Sequence, residues 1–517
     1  MKLTFLTMIG IVFVLILLTT VGTLSGKKVK SSDDFLTGGG KAGRWLVCGG
    51  IMGALVSSQA TIGTAQLAFH FGLSAWWFTL GSGIGCLVLA LLYSDRLRAN
   101  KSVTEIEVIS NEYGQSTGGL ASILCSLGIF ISVLAQVIAC SGLLTTLFPQ
   151  ISLSIAAFIS IAFMLVFVIF GGTLGMGMGG VLKLILLYLS SLVCFVLVVI
   201  YSKGFTGVFR SVENTLVGTP LGQVQTAAAK ASNIISDTDF RSRFLNLIAR
   251  GGVKDIGSGI SLLLGVLSTQ TYAQAILSAR NDREAKLGAL LSAFLIPPVG
   301  IAGIFVGLYM RGHYITQAEV DALSAMHQSI PDLPVLANTI QAFPSFAIHH
   351  TSPFIGGLIL GTLLLSVVGG GAGLSLGMAT ILDNDIAKKK MKSLNTSEKE
   401  LRFTRLIIGA ILLAVAMITI FAPNTMINDL GFLSMGLRGS VVFLPLTFAL
   451  WLPGKINERW AFISVILAPI SVLMAKILSL SIDPVFIGLL VSMFCFLMGY
   501  FSHKKANDNS ILKNRNV

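Results

Sequence analysis

The chain has 517 residues, of which 54% are hydrophobic and 11% are charged, and its mean hydropathy is +0.84. Soluble domains carry about 25% charged residues, so this composition excludes a soluble globular protein and indicates an all-α polytopic membrane protein. The formal net charge of +13 does not indicate nucleic-acid binding, because the basic residues cluster at the ends of apolar segments.

Apolar runs near the length of a bilayer-spanning helix recur along the whole chain. They predict a single transmembrane domain with about thirteen helices. The predicted spans are 5–23, 46–69, 74–93, 118–145, 151–171, 181–201, 257–277, 287–310, 353–382, 403–421, 429–451, 458–478 and 484–502.

The basic residues set the predicted orientation. They cluster after the first, third, seventh and ninth spans and at the C-terminal end, for example at 27–30, 96–101, 280–286 and 388–405. All of these lie on one side if the N-terminus is outside and the C-terminus is cytoplasmic, which is the positive-inside asymmetry. The exception is the 202–256 loop, which is predicted outside although it carries seven basic residues. The pattern predicts a multi-pass protein of the cytoplasmic membrane.

Several functional classes lack their sequence signatures. The six cysteines all fall in predicted spans without paired spacing, so neither a disulfide framework nor a metal site is expected. No Walker sequence is present, and no nucleophile–base pair indicates an enzyme. A secondary transporter is therefore expected, without a cofactor. Its expected partners are a small-molecule solute and the lipid bilayer, with no nucleic acid and no protein partner.

The second span has an unusual centre. In "CGGIMGALVSSQATIGTAQLAFHFG", glycines flank the polar stretch Ser57 to Thr61. A polar, glycine-flanked centre is typical of a broken helix that lines a binding site at the bilayer midplane. Close helix–helix packing through small residues is the alternative.

Four stretches together indicate a family. They are "DDFLTGGGKAGRWLVCGGIMGALVSSQATIGTAQLAFHFGLS", "SVTEIEVISNEYG", "TQTYAQAILSARNDREAKLGA" and "GMATILDNDI". In this order the chain resembles the sodium–solute symporter family over roughly residues 33–455. The resemblance implies the leucine-transporter-type fold, in which two inverted five-helix repeats work by alternating access. The repeats would cover about 46–201 and 257–451, with extra helices at 5–23, 458–478 and 484–502.

The resemblance also implies where the family's principal sodium ion would lie, between the second and the ninth spans. Backbone carbonyls of the second span align with Gly53 and Val56, and a carbonyl of the ninth span aligns with Ser366. The family's pair of hydroxyl ligands falls on Gly369 and Gly370. Sodium prefers hard oxygen ligands, so these two departures predict a degraded sodium site.

Two further departures lie in the sixth span. A supporting acidic residue of the family falls on Gly180, and a glutamine three residues later falls on Lys183. In related transporters of this fold that do not use sodium, a lysine can occupy the ion's position, and a buried amine can take up and release a proton. The alternative is that Lys183 extends to the membrane interface.

Polar residues near the predicted breaks are the candidate solute ligands. They are Ser57, Ser58, Gln59, Thr61, Gln136, Thr269 and Gln270. Arg438 lies inside the eleventh span, where an ionisable residue indicates function. It would bind a carboxylate or phosphate of the solute, or else serve as a gate or a structural link.

These observations predict a secondary transporter for a small polar organic solute that does not strictly require sodium. Transport would be proton-coupled or facilitative, and the sequence leaves the choice between Na⁺ and H⁺ open. The alternative is a transporter-like membrane receptor that binds a solute and signals through a partner, since loss of an ion-coupling site would permit that role.

Overall fold

A computed structural model describes residues 4–26, 38–231, 240–388, 397–421, 426–478, 480 and 482–515. The stretches 27–37 and 389–396 lie outside these residues. They carry part of the predicted basic clusters and the beginning of the first family motif.

Helices make up most of the described chain. In its first half they are α1 (Phe5–Gly26), α2 (Arg44–Leu55), α3 (Ile62–Phe71), α4 (Trp77–Val88), α5 (Ser94–Asn100), α6 (Glu105–Leu147), α7 (Leu153–Tyr201), α8 (Phe205–Leu216), α9 (Pro220–Ala231) and α10 (Phe240–Phe244).

The second half continues with long helices and one short pair of strands. They are α11 (Gly252–Val266), α12 (Gln270–Leu277), α13 (Asp282–His313), β1 (Ile315–Thr316), α14 (Gln317–Ala325), β2 (Val335–Leu336), α15 (Ala342–His349), α16 (Pro353–Ile381), α17 (Ser397–Thr419), α18 (Ile427–Trp451), α19 (Glu458–Ile477) and α20 (Pro484–Arg515). The two strands pair in parallel, with Ile315 opposite Val335.

The second span is broken where the sequence is polar. Helix α2 ends at Leu55 and α3 begins at Ile62. Between them the chain makes local hydrogen bonds in place of helical ones: the Thr61 hydroxyl donates to the carbonyl of Ser57 at 2.9 Å, and the Gly63 amide donates to the carbonyl of Ser58 at 2.7 Å. The predicted broken helix is therefore present.

A second break lies near the start of the second predicted repeat. Helices α11 and α12 are bent by 45° at residues 267–269. The Thr269 hydroxyl donates to the carbonyl of Gly265 and so satisfies a helix-end acceptor. The first helix of each predicted repeat is thus interrupted, as the leucine-transporter-type fold requires.

The helical run α7 contains two apolar pieces, Leu153–Val168 and Gly175–Tyr201. A Cβ built on Gly179 would lie 2.8 Å from the ring of Phe167. A straight helix would separate these two residues by about 18 Å along its axis, so the two pieces lie side by side. They correspond to the fifth and sixth predicted spans.

Nine helices of the described chain are long and apolar enough to cross a membrane, or up to 10 if the bent pair α11–α12 counts as one span. Three shorter apolar helices are Phe5–Leu17, Arg44–Leu55 and Leu153–Val168. The all-α polytopic fold class is confirmed. The count of about thirteen spans and the orientation in the membrane stay predictions.

The contact between α2 and α7 depends on glycine. A Cβ on Gly180 would overlap the carbonyl oxygen of Gly49. We expect Gly180→Ala to lower the melting temperature of the purified protein, at a cost of about 1–3 kcal/mol, because the two backbones would have to separate. Gly119→Ala is the matched control, since a Cβ there meets nothing within 4 Å. Equal melting temperatures for the two variants would contradict this packing.

Candidate solute and ion site

The ammonium of Lys183 lies between the two helices predicted to hold the ion. Its Nζ donates to the carbonyl of Gly53 at 2.8 Å and to the carbonyl of Ser366 at 3.1 Å. The side chain is buried, with 2% of its surface exposed. The amine therefore lies inside the bundle, and the alternative in which it extends to the membrane interface does not describe this structure.

The carbonyls are available because α2 ends there. The amide of Ser57 donates to Leu55 instead of to Gly53, so the Gly53 carbonyl has no helical partner and accepts from Lys183. The Ser366 hydroxyl donates to the carbonyl of Val56 at 3.1 Å. Of the three residues aligned with the family's carbonyl ligands, Gly53 and Ser366 thus contact the ammonium, and Val56 is linked to it through Ser366.

The two glycines at the family's hydroxyl positions have different surroundings. A Cβ on Gly369 would lie 3.6 Å from the Gly53 carbonyl oxygen and 3.9 Å from Cδ of Lys183, which is ordinary van der Waals contact. A Cβ on Gly370 would overlap Cβ of Ser57. Gly369 therefore borders the ammonium, whereas Gly370 allows α16 to pack against the break.

Gly180 determines the position of the Lys183 side chain. Its close contact with Gly49 brings α7 against α2. Lys183 lies three residues further along α7, on the same face of the helix. The backbone contact therefore directs the amine toward the end of α2. Where the family resemblance implies two hydroxyls and a carboxylate, this chain has Gly369, Gly370 and Gly180.

Gln136 from α6 fills the break in the second span. It is fully buried, and its Nε2 donates to the Ser57 hydroxyl at 3.0 Å and to Oε1 of Gln59 at 3.3 Å. Its Oε1 accepts from the amide of Ser58 at 3.1 Å. Four of the predicted solute ligands therefore lie in one polar cluster.

The other candidates are distributed more widely. Thr61 binds the backbone of the break. Gln270 lies apart from the cluster: its Nε2 donates to the carbonyl of Val103 at 2.9 Å, and its Oε1 accepts from the amide of Glu105 at 3.1 Å. Gln270 thus connects α12 to the beginning of α6.

Arg438 connects three helices at the second break. Its Nη1 donates to the Thr269 hydroxyl at 2.7 Å, and its Nη2 donates to the hydroxyls of Ser132 and Ser434, each at 3.0 Å. Its Nε donates to the Ser434 carbonyl at 3.2 Å. The residue is fully buried, and it forms no ion pair within the described chain.

We expect Arg438→Lys to destabilise the protein even though it keeps the charge. A single ammonium cannot replace the planar fork that reaches Thr269 and Ser132 together. Buried acceptors left without a partner cost about 1–3 kcal/mol each. Thermal unfolding in detergent measures the effect. Arg459→Lys, near the start of α19, is the control, and an unchanged melting temperature for Arg438→Lys would contradict the assignment.

Unpartnered polar atoms show where a solute could bind. Among the residues that the structure describes, buried side-chain atoms without a hydrogen-bond partner include Ser58 Oγ, Gln59 Nε2, Ser268 Oγ, and both Nδ2 and Oδ1 of Asn428. Buried polar atoms are normally paired, so this group is suited to hydrogen-bond a polar molecule between the two breaks and α18.

Sequence reasoning missed Asn428. It lies in the first turn of α18, and only 1% of its surface is exposed. The available signal was a polar amide at the beginning of an apolar span. The sequence pattern favoured Arg438, because a charged residue in the middle of the same helix is rarer. Phe78 and Phe432 were also missed, because aromatic residues are common in apolar spans.

Ion pairs lie at the end of the bundle predicted to be cytoplasmic. Glu284 at the start of α13 pairs with Arg44 at 3.0 Å and with Arg280 at 3.2 Å. Asp282 pairs with Arg98 at 2.6 Å. These contacts connect the start of α2 and the end of α5 to the start of α13.

A buried polar network lies at the opposite end. Nη1 of Arg311 donates to both carboxylate oxygens of Glu319, at 2.9 and 3.0 Å, and Gln225 connects Glu319 to Arg243. Burial opposes ionisation of Glu319, but the charge of Arg311 and the hydrogen bonds outweigh it and lower the pKa of this carboxyl. Arg243 also donates to the carbonyl of His70 at 3.1 Å, so the network reaches the end of α3.

The sequence as a whole identifies the class of protein that carries this site. Residues 35–468 match the sodium:solute symporter family. The chain therefore belongs to the sodium:solute symporter family, as its motifs predicted. It is a secondary transporter of the membrane, and the expectation of a transporter rather than an enzyme is confirmed.

Solved structures show the same fold. A Na⁺-coupled sialic acid symporter in a substrate-bound outward-open state aligns with a TM-score of 0.73 at 17% identity, over 97% of this chain and 98% of that one. A nucleobase-cation-symport-1 family transporter in a closed conformation with bromovinylhydantoin bound aligns with a TM-score of 0.53 at 10% identity, over 91% and 95%. A manganese transporter of Eremococcus coleocola aligns at 0.50 and 13% identity, over 89% and 95%.

Proposed function

We propose that this chain moves a small polar organic solute across the cytoplasmic membrane by alternating access without requiring sodium. The observation that carries the proposal is the contact of the Lys183 ammonium with the carbonyls of Gly53 and Ser366. In the proposed transporter the ammonium does the structural work that a bound sodium ion does elsewhere in the family.

Charge and ligand number both support this role. A sodium ion at the same carbonyls would lie against a positive charge, and like charges in a medium of low dielectric repel strongly. The positions of two ligand hydroxyls and of the supporting carboxylate are occupied by Gly369, Gly370 and Gly180. Lys183 supplies the cation, and the bordering carbonyls accept its hydrogen bonds.

The ammonium also connects the parts that alternating access must move. It bridges the end of α2, next to the break, and α16. If Lys183 loses its proton it keeps fewer donors for these two carbonyls, so α2 and α16 would separate more easily. Proton-coupled and facilitative transport both follow from this arrangement, and the pH dependence of uptake distinguishes them.

Reconstituted liposomes test the proposal. Uptake of a panel of labelled solutes (hydantoin, glucose, proline and sialic acid) is measured with choline replacing sodium on both sides. We expect at least one solute to accumulate or equilibrate at a rate that sodium changes less than two-fold. The Lys183→Met protein is the transport-deficient comparison, because it should lose this uptake. Uptake that requires sodium would overturn the proposal, and binding without flux would favour the receptor alternative.

A further inference from the structure

Two buried carboxamides lie at the contact between the broken second span and α18. Gln59 lies in the break before α3, and Asn428 lies in the first turn of α18. A Cβ on Gly431 would lie 2.9 Å from Nε2 of Gln59, and a Cβ on Gly63 would overlap Oδ1 of Asn428. Each amide therefore packs against a glycine of the opposite segment.

Polar atoms of both amides are unpartnered within the described residues. These atoms are Nε2 of Gln59 and both polar atoms of Asn428, and the neighbouring hydroxyl of Ser58 is in the same situation. Both carboxamides are at least nine-tenths buried, at 2% and 1% exposed. Their unpartnered groups are two donors, Nε2 of Gln59 and Nδ2 of Asn428, and one acceptor, Oδ1 of Asn428.

An apolar surface adjoins these amides. The rings of Phe78 and Phe432 lie 5.9 Å apart between centroids, and a Cβ on Gly431 would lie 3.2 Å from the ring of Phe78. The polar edge and the apolar surface thus meet at Gly431. Such a surface suits a molecule with a polar edge and an apolar face.

Two arginines near these amides already have protein partners. Arg438 is ten residues further along α18 than Asn428, which is about 15 Å, and all three of its guanidinium nitrogens donate to protein acceptors. Arg250 lies over the ring of Phe432 at 5.2 Å, and Asp255 neutralises it at 2.6 Å. Asp429, next to Asn428, is half-buried and would repel an anion.

We infer that Gln59 and Asn428 form the recognition site for an uncharged solute that presents an adjacent hydrogen-bond donor and acceptor beside an apolar face. Amides, imides and vicinal diols share this chemistry. The inference rests on the proposed transport function and names its substrate class. It assigns Arg438 to the packing of the second break and not to a carboxylate of the solute.

Thermal unfolding and uptake, measured on the full chain with the same panel, test the inference. Hydantoin represents a cyclic imide, glucose a diol, proline a zwitterion and sialic acid an anion. We expect hydantoin or glucose, and neither proline nor sialic acid, to raise the melting temperature in a saturable way and to be taken up. The one that is active shows whether the site recognises an imide or a diol.

Variants connect the effect to the amides. Asn428→Asp keeps the shape of the side chain. In this variant, the concentration of the active solute that gives half of the maximal rise in melting temperature should increase at least ten-fold. Asn214→Asp, on the exposed surface of α8, should leave it unchanged. If Asn428→Asp fails to fold, Gln59→Glu provides the second variant. The inference would be overturned if the active solute stabilised the wild type and a folded variant with the same half-maximal concentration.

The failure of this inference differs from the failure of the proposed function. Sodium-independent uptake of proline or sialic acid alone would overturn the substrate class and leave the sodium-independent mechanism standing. Uptake of hydantoin or glucose that requires sodium would overturn the mechanism and leave the substrate class standing.

Discussion

Lys183→Met is expected to abolish transport and to lower the melting temperature by several degrees. The methionine fills a similar volume but donates no hydrogen bond to the carbonyls of Gly53 and Ser366, which Lys183 contacts at 2.8 and 3.1 Å. Two buried carbonyls that lose a partner would cost about 2–6 kcal/mol in total. The break beside α2 would lose its connection to α16.

The measurement pairs thermal unfolding with uptake by reconstituted liposomes. Lys399→Met, on the exposed part of α17, removes the same charge elsewhere and should leave both readouts unchanged. If Lys183→Met kept wild-type stability and wild-type uptake, the ammonium would have no part in holding the two helices together.

Gly370→Ala is expected to disrupt the site, whereas Gly369→Ala is expected to be tolerated. The added methyl group at Gly370 would overlap Cβ of Ser57 and lie 3.2 Å from Oε1 of Gln136. Overpacking of this kind costs about 1–3 kcal/mol, and it would displace the break that the solute cluster is built on. At Gly369 the nearest atoms are 3.6 Å away or more, and alanine favours the helix.

Purified yield, melting temperature and uptake of the two variants provide the comparison. We expect Gly369→Ala to lie within about two-fold of wild type in uptake and Gly370→Ala to lose at least ten-fold. If both variants lost uptake equally, the two glycines would serve a common packing face. The distinction between them that their surroundings indicate would then be wrong.

The sequence predicted the architecture well because composition and polarity determine it. A polar centre flanked by glycines, as at Ser57–Thr61, is typical of a discontinuous helix at a midplane site, so the residues themselves predict the break between α2 and α3. The family motifs, spread over most of the chain, placed Gly53, Val56 and Ser366 near one point. In the structure Gly53 and Ser366 contact Lys183, and Val56 bonds to Ser366.

Other features depend on distances that no sequence pattern contains. Nothing in "SVVGGGAGLSLGMAT" distinguishes Gly369 from Gly370; only the position of Ser57 across the interface does. The reach of Lys183 depends on the backbone contact between Gly180 and Gly49. Asn428 became a candidate ligand only when its buried, unpartnered amide was visible.

The central claim is that the Lys183 ammonium occupies the place of the family's sodium ion, and binding of radioactive sodium to the purified protein tests it most directly. The account predicts no saturable ²²Na⁺ binding by the wild-type protein in buffered choline chloride. Saturable ²²Na⁺ binding by the wild-type protein, displaced by unlabelled sodium and not by potassium, would contradict it.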